Sequence, residues 1–343
     1  MINLALDHWH IEPSSRCTLK CSRCPRAEVP ESLLNRQLTL KFFKEQLGAD
    51  TIKNIKKITF CGNDGDPIYC TELLDIINWI KSVNDNLSIV IITNGSYKSK
   101  DWWNELAHIL TDKDEINWSL DGWDQGSNEQ YRVNCDWESI QLGINTFFTN
   151  NKSTYRVWST IGFRFNQDHI PNMIDLASNQ GFDLFQLTKS TKFGCKYPDS
   201  YNINDELEPT NHNLIAEGHR FERELFKLTA KLRHSEALKP LFTKRAEELK
   251  NSPYSGICLI GNKGVFLNSR GEFYPCCWTA NRYDHNREWL EKAEVRFNLN
   301  IREFTKIQND EFWTTDFLSF RWPECQAKCT PEKLDDKSHV LDW

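Results

Sequence analysis

Three cysteines packed into eight residues constrain this chain more than any other stretch. They are Cys17, Cys21 and Cys24, spaced Cys-x3-Cys-x2-Cys in the run Arg16-Cys17-Thr18-Leu19-Lys20-Cys21-Ser22-Arg23-Cys24-Pro25. Three thiolates on one tight loop can hold three corners of a cubane iron–sulfur cluster, leaving the fourth iron without a protein ligand. An open iron among soft ligands points to chemistry at the metal rather than to a structural staple. Zinc also suits short cysteine spacings, so on spacing alone a zinc-bound or buried loop stays open.

The chain is 343 residues long, enough for one large α/β domain and a smaller one. Its formal net charge of −6 disfavours a nucleic-acid partner held mainly by a basic surface. The start, Met1-Ile2-Asn3-Leu4-Ala5-Leu6-Asp7, has no basic n-region followed by a long apolar run, and no uncharged apolar window is long enough to span a bilayer. The expectation is a cytoplasmic protein without a membrane partner. There are 12 cysteines, many of them in close groups, and in a reducing compartment such groups read as metal ligands rather than disulfides.

Apolar runs alternate with polar turns and amphipathic stretches from about residue 7 to 190. Strands are expected over residues 7–12, 57–61, 88–93, 115–120, 155–165 and 182–187. Helices are expected over 39–47, with Thr39 as N-cap, and over 71–83, 102–110, 137–148 and 170–179. Six such units predict a parallel sheet built of right-handed βα crossovers, with chemistry at the carboxyl ends of the strands. The cysteine loop and the turns Gly62-Asn63-Asp64-Gly65-Asp66-Pro67, Asn94-Gly95, Asp121-Gly122 and Asn166-Gln167-Asp168 all fall at that edge. Leu214, Phe221, Leu225, Leu228 and Leu232 form a helical stripe over 213–233, and after Pro240 a helix resumes over 241–249. Ser269-Arg270-Gly271 sits between two short apolar runs and predicts a β-hairpin.

Five cysteines lie in the last 90 residues or so: Cys258, Cys276, Cys277, Cys325 and Cys329. Cys258 and Cys276 bracket the hairpin, and Cys325 and Cys329 can complete a set of four thiolates. Four thiolates close either a cubane cluster or an all-cysteine zinc site, and spacing does not separate the two. Cys277 is a fifth candidate or an ordinary thiol. Cys61, Cys70, Cys135 and Cys195 are isolated and read as small buried hydrophobes, although Cys195, in a polar loop, is also a candidate for an active site.

With these residues in view, the sequence resembles the radical S-adenosylmethionine (SAM) enzymes. Cys17-x3-Cys21-x2-Cys24 is similar to that family's cluster loop, and four turns match its pattern in order. Gly65-Asp66-Pro67 stands at the Gly-Gly-Glu-Pro turn, Thr93-Asn94-Gly95 at the third strand end, and Ser119-Leu120-Asp121-Gly122 at the fourth, followed by Tyr131-Arg132. Asn166 stands after the fifth strand. Cys258-x12-Gly271-x4-Cys276 resembles the start of the C-terminal SPASM/Twitch extension. The resemblance covers roughly 7–190 and 256–330.

The resemblance implies a partial (βα)6 TIM-like barrel over 1–200, a helical connector over 201–252 and a Twitch-type auxiliary domain over 253–343. A SAM-binding [4Fe-4S] cluster on Cys17, Cys21 and Cys24 would cleave SAM reductively. The resulting 5′-deoxyadenosyl radical would take a hydrogen atom from a peptide or small-molecule substrate. Asp66, in the Gly65 turn, is expected to accept from the SAM ammonium, Ser119, Asn166 and, more weakly, Asn94 to meet its ribose and carboxylate, and Arg23 to lie near its adenine. Two departures from the family pattern stand out. Arg23 replaces the usual aromatic residue before the third cysteine, and Asp66 offers a shorter arm than glutamate, with Asp64 as a rival.

Five late cysteines suffice for one auxiliary [4Fe-4S] cluster, on Cys258, Cys276, Cys325 and Cys329, and not for the two of a full SPASM domain. With four protein ligands such a cluster would relay electrons rather than bind substrate. The family also implies an electron donor such as a flavodoxin or ferredoxin. Tyr131, Lys189 and Cys195 are candidates for a base or hydrogen donor, and none is assigned. The alternatives are an RNA-modifying enzyme of the same chemistry and a non-catalytic zinc-binding α/β protein.

Overall fold

Strands form where β-branched and aromatic residues cluster, and helices where apolar residues recur every three or four positions. The computed structural model describes residues 7–24, 26, 35–189, 206–211, 214, 217–221, 265–280 and 287–313. In chain order its strands are β1 (His8–Ile11), β2 (Lys57–Phe60), β3 (Ser88–Thr93), β4 (Glu115–Ser119), β5 (Tyr155–Gly162), β6 (Leu184–Lys189), β7 (Glu217–Arg220), β8 (Val265–Leu267) and β9 (Phe273–Tyr274). The helices are α1 (Leu40–Phe42), α2 (Gly48–Asn54), α3 (Leu73–Val83), α4 (Lys100–Ile109), α5 (Gln125–Asn128), α6 (Trp137–Asn150), α7 (Ile170–Gln180), α8 (Arg287–Arg296) and α9 (Phe304–Gln308). Every described pairing among β1 to β6 is parallel, as βα repetition predicts.

The chain divides into two compact units. The first comprises Met1–Arg16, Glu31–Ile89 and Thr229–Trp343, and the second Cys17–Pro30 and Val90–Leu228. In the first unit β1 lies between β2 and β8 and runs parallel to both, and β9 turns back antiparallel on β8. Residues 265–274 therefore form the expected hairpin. Alternation along β1 splits its side chains between two faces. Trp9 packs against Phe273 and Phe304, with ring centroids 5.6 and 5.1 Å away. On the other face His8 Nε2 lies 3.0 Å from Thr59 Oγ1, and the His8 ring lies against that of His10, tilted by 41° with centroids 4.5 Å apart. Thr39 caps α1 by accepting from the Phe42 N–H. The helix then widens by one residue over Phe43–Leu47 and breaks at Gly48, where φ is +74°.

The second unit's strands follow the order β3-β4-β5-β6-β7, the first four parallel and β7 antiparallel. Trp118 on β4 is wholly buried. Its ring meets Trp103 of α4 at 5.8 Å, Phe148 of α6 at 5.4 Å and Phe182 at 5.8 Å. Gly143 on α6 permits the close approach of α4, since a Cβ there would sit 2.5 Å from Trp103 Nε1. Asp124 and Ser127 form a reciprocal capping box on α5, and Asp136 caps α6.

One element differs from expectation. Residues 217–220, inside the stretch expected to be helical, form β7 on the edge of β6, with Leu184 opposite Arg220. Gly218 weakens a helix there by about 1 kcal/mol. The free edge of β6 offers ladder bonds instead, continued by the Phe221 N–H to the Asp183 carbonyl at 3.0 Å. Most of the remaining expected helix, to residue 249, lies outside the described residues.

Asp310 closes the first unit's C-terminal helices. Its side chain is 5% exposed and accepts from Arg296 at 2.6 Å, Arg302 at 2.8 Å and the Phe312 N–H at 3.0 Å. Burial pushes its carboxyl up, and the two arginines and the backbone donor outweigh that and hold it below the usual carboxylate range. Two outcomes are expected. Trp118→Ala loses about 3–5 kcal/mol in chemical denaturation, because the cavity cannot close among rigid rings. Asp310→Asn is less stable than the parent at pH 7. A depressed folded-state pKa gives stability above the unfolded value that is lost as pH falls through the folded one. The gap between parent and variant in acid titration therefore closes only below the ordinary carboxylate range.

Candidate functional site

The cysteine loop leaves the end of β1 and is held from three sides within the second unit. Arg26 donates from Nη1 to the Cys17 carbonyl at 3.0 Å and to the Leu19 carbonyl at 3.4 Å. The Lys20 N–H donates to the Val133 carbonyl at 2.9 Å, and Asn134 Nδ2 to the Thr18 carbonyl at 2.9 Å. Asn134 adopts φ +68°, a conformation asparagine tolerates better than most residues. The Cys24 N–H closes the loop on the Cys21 carbonyl at 3.1 Å. Arg23, half-buried, lies within that turn.

The three thiols differ in setting. Cys21 is buried, whereas Cys17 and Cys24 are partly exposed. Burial pushes the Cys21 thiol up to about 11, against the pull of the Arg132 guanidinium. Arg132 is itself fixed by Asp121, Nε to Oδ2 at 2.6 Å. Asp121 is fully buried, and its other carboxylate oxygen accepts the Ile161 N–H at 2.7 Å. Tyr131 is buried against Phe163, and burial raises its hydroxyl well above its ordinary range.

Asn94, after β3, donates from Nδ2 to Cys17 Sγ at 3.6 Å and accepts the Ser96 N–H on Oδ1 at 2.9 Å. Ser119 is half-buried at the end of β4, in register with Ser159 of β5, which pairs in turn with Gln186 of β6. These three form one polar row across the sheet, at the end of β4 but three residues short of the ends of β5 and β6. Asn166 is differently placed. Its Nδ2 donates to the Asp121 and Ile161 carbonyls at 2.8 Å each, and its Oδ1 accepts the Phe163 N–H at 2.7 Å. Its amide braces the ends of β4 and β5. Lys189 is exposed at the end of β6.

In the first unit the turn after β2 wraps a buried carboxylate. Glu12 Oε1 accepts the N–H groups of Asp64 and Gly65 at 2.5 and 2.9 Å. Gly65 packs so tightly that a Cβ would stand 1.9 Å from the Ser14 carbonyl oxygen. The Asp66 N–H donates to the Arg16 carbonyl at 2.9 Å, and its carboxylate caps the single turn Pro67–Tyr69 through the Ile68 N–H. The same turn reaches the C-terminal segment, where Asn63 Nδ2 donates to the Cys277 carbonyl at 3.3 Å. Cys276 is half-buried at the exit of the hairpin, whose buried Glu272 accepts from Asn268, Arg270 and Tyr274. Cys70 and Cys135 are buried as expected. Cys61 is partly exposed, with Sγ 3.8 Å from His10 Nδ1. Cys195, Cys258, Cys325 and Cys329 lie outside the described residues.

Among the described residues, no three His, Cys, Asp or Glu side chains are grouped to hold a single metal ion. A cubane cluster does not require such a group, because each thiolate attaches to its own iron. Three thiols on one braced loop, with an amide donor at Cys17 and a guanidinium acting on Cys21, fit that soft, anionic group. Arg26 and Asn134, which hold the cysteine loop, escape sequence reading. No local pattern marks them, and only loop packing brings them to it.

No protein-family model matches the chain, and no curated protein matches its sequence. Solved structures do share its fold. Streptococcus suis SuiB bound to the precursor peptide SuiA is 15% identical, with a TM-score of 0.58 over 92% of this chain and 67% of that one. SuiB bound to S-adenosylmethionine is 14% identical, with a TM-score of 0.56 over 92% and 66%. anSMEcpe with bound AdoMet and the Cp18Cys peptide is 15% identical, with a TM-score of 0.54 over 94% and 88%. The α/β fold is therefore shared with SuiB and anSMEcpe, and the chain spans about two thirds of the length of SuiB. No helix among the described residues is long and apolar enough to cross a membrane.

Gly65→Ala is expected to destabilise the protein by at least about 2 kcal/mol, since the new Cβ meets backbone that cannot turn aside. Gly126→Ala is the control. Its nearest contact would be 3.8 Å, and Ala at that site is expected to be neutral or stabilising. Thermal unfolding of the two variants side by side checks both.

Proposed function

We propose that the chain is a radical SAM enzyme that modifies a peptide. The observation that carries this reading is the braced loop of Cys17, Cys21 and Cys24 at the exit of the first strand of this fold. The first cluster, with SAM bound, would supply a 5′-deoxyadenosyl radical able to take a hydrogen atom from a substrate.

The residues divide the remaining work. Cys17, Cys21 and Cys24 would hold three irons of the cluster. Arg26 and the Val133–Asn134 turn keep the loop closed around them. Asp66 or Asp64 offers a carboxylate to the SAM ammonium, a charge-assisted hydrogen bond. Ser119, with Ser159 and Gln186 in its register row, offers hydroxyl and amide groups to the ribose and carboxylate. Asn166 keeps the β4 and β5 ends in place rather than reaching the ligand. Arg23 can stack on an adenine face, where the family carries an aromatic ring. Cys276, with Cys258, Cys325 and Cys329, would hold an auxiliary cluster, which would supply an electron relay from a donor of the flavodoxin or ferredoxin class. A peptide substrate is supported by the peptides bound in SuiB and anSMEcpe.

Anaerobic reconstitution with iron and sulfide tests the reading. The expected product is a brown protein with about eight irons per chain that releases 5′-deoxyadenosine from SAM on reduction, measured by chromatography. Replacement of Cys17, Cys21 or Cys24 by Ala drops that release to background, and Cys258→Ala retains part of it. About four irons per chain would remove the auxiliary cluster. A colourless zinc-binding protein that leaves SAM intact would overturn the whole reading.

A further inference from the structure

The third strand end is built to present one amide to one thiol. Thr93 ends β3, and its Oγ1 accepts the Gly95 N–H at 3.0 Å. Gly95 adopts φ +77° and lies against Trp118, where a Cβ would stand 2.9 Å from ring carbon Cδ1. Only glycine suits both the left-handed backbone and that close approach. Asn94, 4% exposed, is held between these two residues. Its Oδ1 accepts the N–H of Ser96, which is fully buried. A backbone N–H requires an acceptor, so this bond fixes which end of the amide is oxygen. The NH2 end then points at Cys17 Sγ, 3.6 Å away. That separation suits an N–H···S hydrogen bond, which is longer than one to oxygen because sulfur is larger.

We propose that Asn94 is a positioning residue for the cluster rather than a SAM ligand, and that its hydrogen bond to Cys17 raises the cluster's reduction potential. This rests on the reading of Cys17 as a cluster ligand. One electron enters from an external reductant, and the added negative charge spreads onto the ligand sulfurs. A donor aimed at one of those sulfurs favours the reduced state over the oxidised one. Because the amide is held at both ends and is itself buried, it does not have to reorient when the charge arrives.

Two substitutions separate this role from a folding role. Asn94→Asp keeps the acceptor for the Ser96 N–H and replaces the donor with a negative charge. Asn94→Leu removes donor and acceptor at similar volume. The full chain is reconstituted anaerobically, and the EPR signal that shifts on adding SAM is titrated against potential. In both variants the reduction equilibrium of that signal is expected to fall at least about tenfold, or about 59 mV for one electron, with iron content unchanged. Asn94→Asp is expected to fall furthest.

Midpoints equal to the parent's in both variants would overturn the inference. Loss of the cluster from both would also overturn it, showing a brace and not a tuning bond. A parent chain with no SAM-responsive signal would instead overturn the radical SAM reading on which the inference stands, so the two failures are distinguishable.

Discussion

The second unit's site depends on one buried carboxylate. Asp121 takes part in four hydrogen bonds at once. Its Oδ1 accepts from the Ile161 N–H and its Oδ2 from Arg132, its own N–H reaches Asn128, and its carbonyl accepts from Asn166. A wholly buried carboxylate is costly unless its lone pairs are occupied, and losing one partner of such a pair costs about 3–5 kcal/mol. The penalty enforces geometry. β4 and β5 must end together, and Arg132 must lie where its charge bears on Cys21. The turn that follows Arg132 supplies the Val133 carbonyl and the Asn134 amide to the cysteine loop. The position of the loop thus traces back to a single charge.

Glu12 has the corresponding role in the first unit. Its carboxylate gathers the N–H groups of the Asp64–Gly65 turn, and Asp66 then bonds the carbonyl of Arg16, the residue before the first cysteine. In both units a buried acid organises backbone at a strand's carboxyl end. Backbone N–H groups freed where a strand stops need acceptors. Residues free to meet a ligand are therefore few. Asn166 and Gly65, chosen from the sequence as cofactor contacts, have local structural duties that account for their residue types.

Strand and helix positions were legible because the two faces of an element differ in polarity. Along β1 the apolar Trp9 and Ile11 alternate with His8 and His10, all four buried, and Ile76, Ile77 and Ile80 share one buried face of α3. The hairpin was legible in Ser269-Arg270-Gly271, where Gly271 takes φ +80°. β7 was not legible. The apolar stripe through Leu214 and Phe221 suits a helix, and the strand forms because β6 has an edge to cover. Leu214 is apolar for another reason, since it fills the space that a side chain at Gly162 would occupy. The row of Ser119, Ser159 and Gln186 was invisible because a register row is a property of paired strands, not of either strand alone.

The sequence by itself determined the chemistry on offer: three closely spaced thiols, a parallel α/β framework and polar turns after its strands. These are local properties, set by spacing, periodicity and turn composition. Tertiary structure alone decided which polar side chain does what. Asn94 and Asn166 are the same residue type at equivalent strand ends. One amide is held with its NH2 toward Cys17, and the other is consumed by the backbone of its own turn and its neighbour. An amide's role depends on which donors and acceptors lie within 3–4 Å of it, and those come from residues distant in the chain.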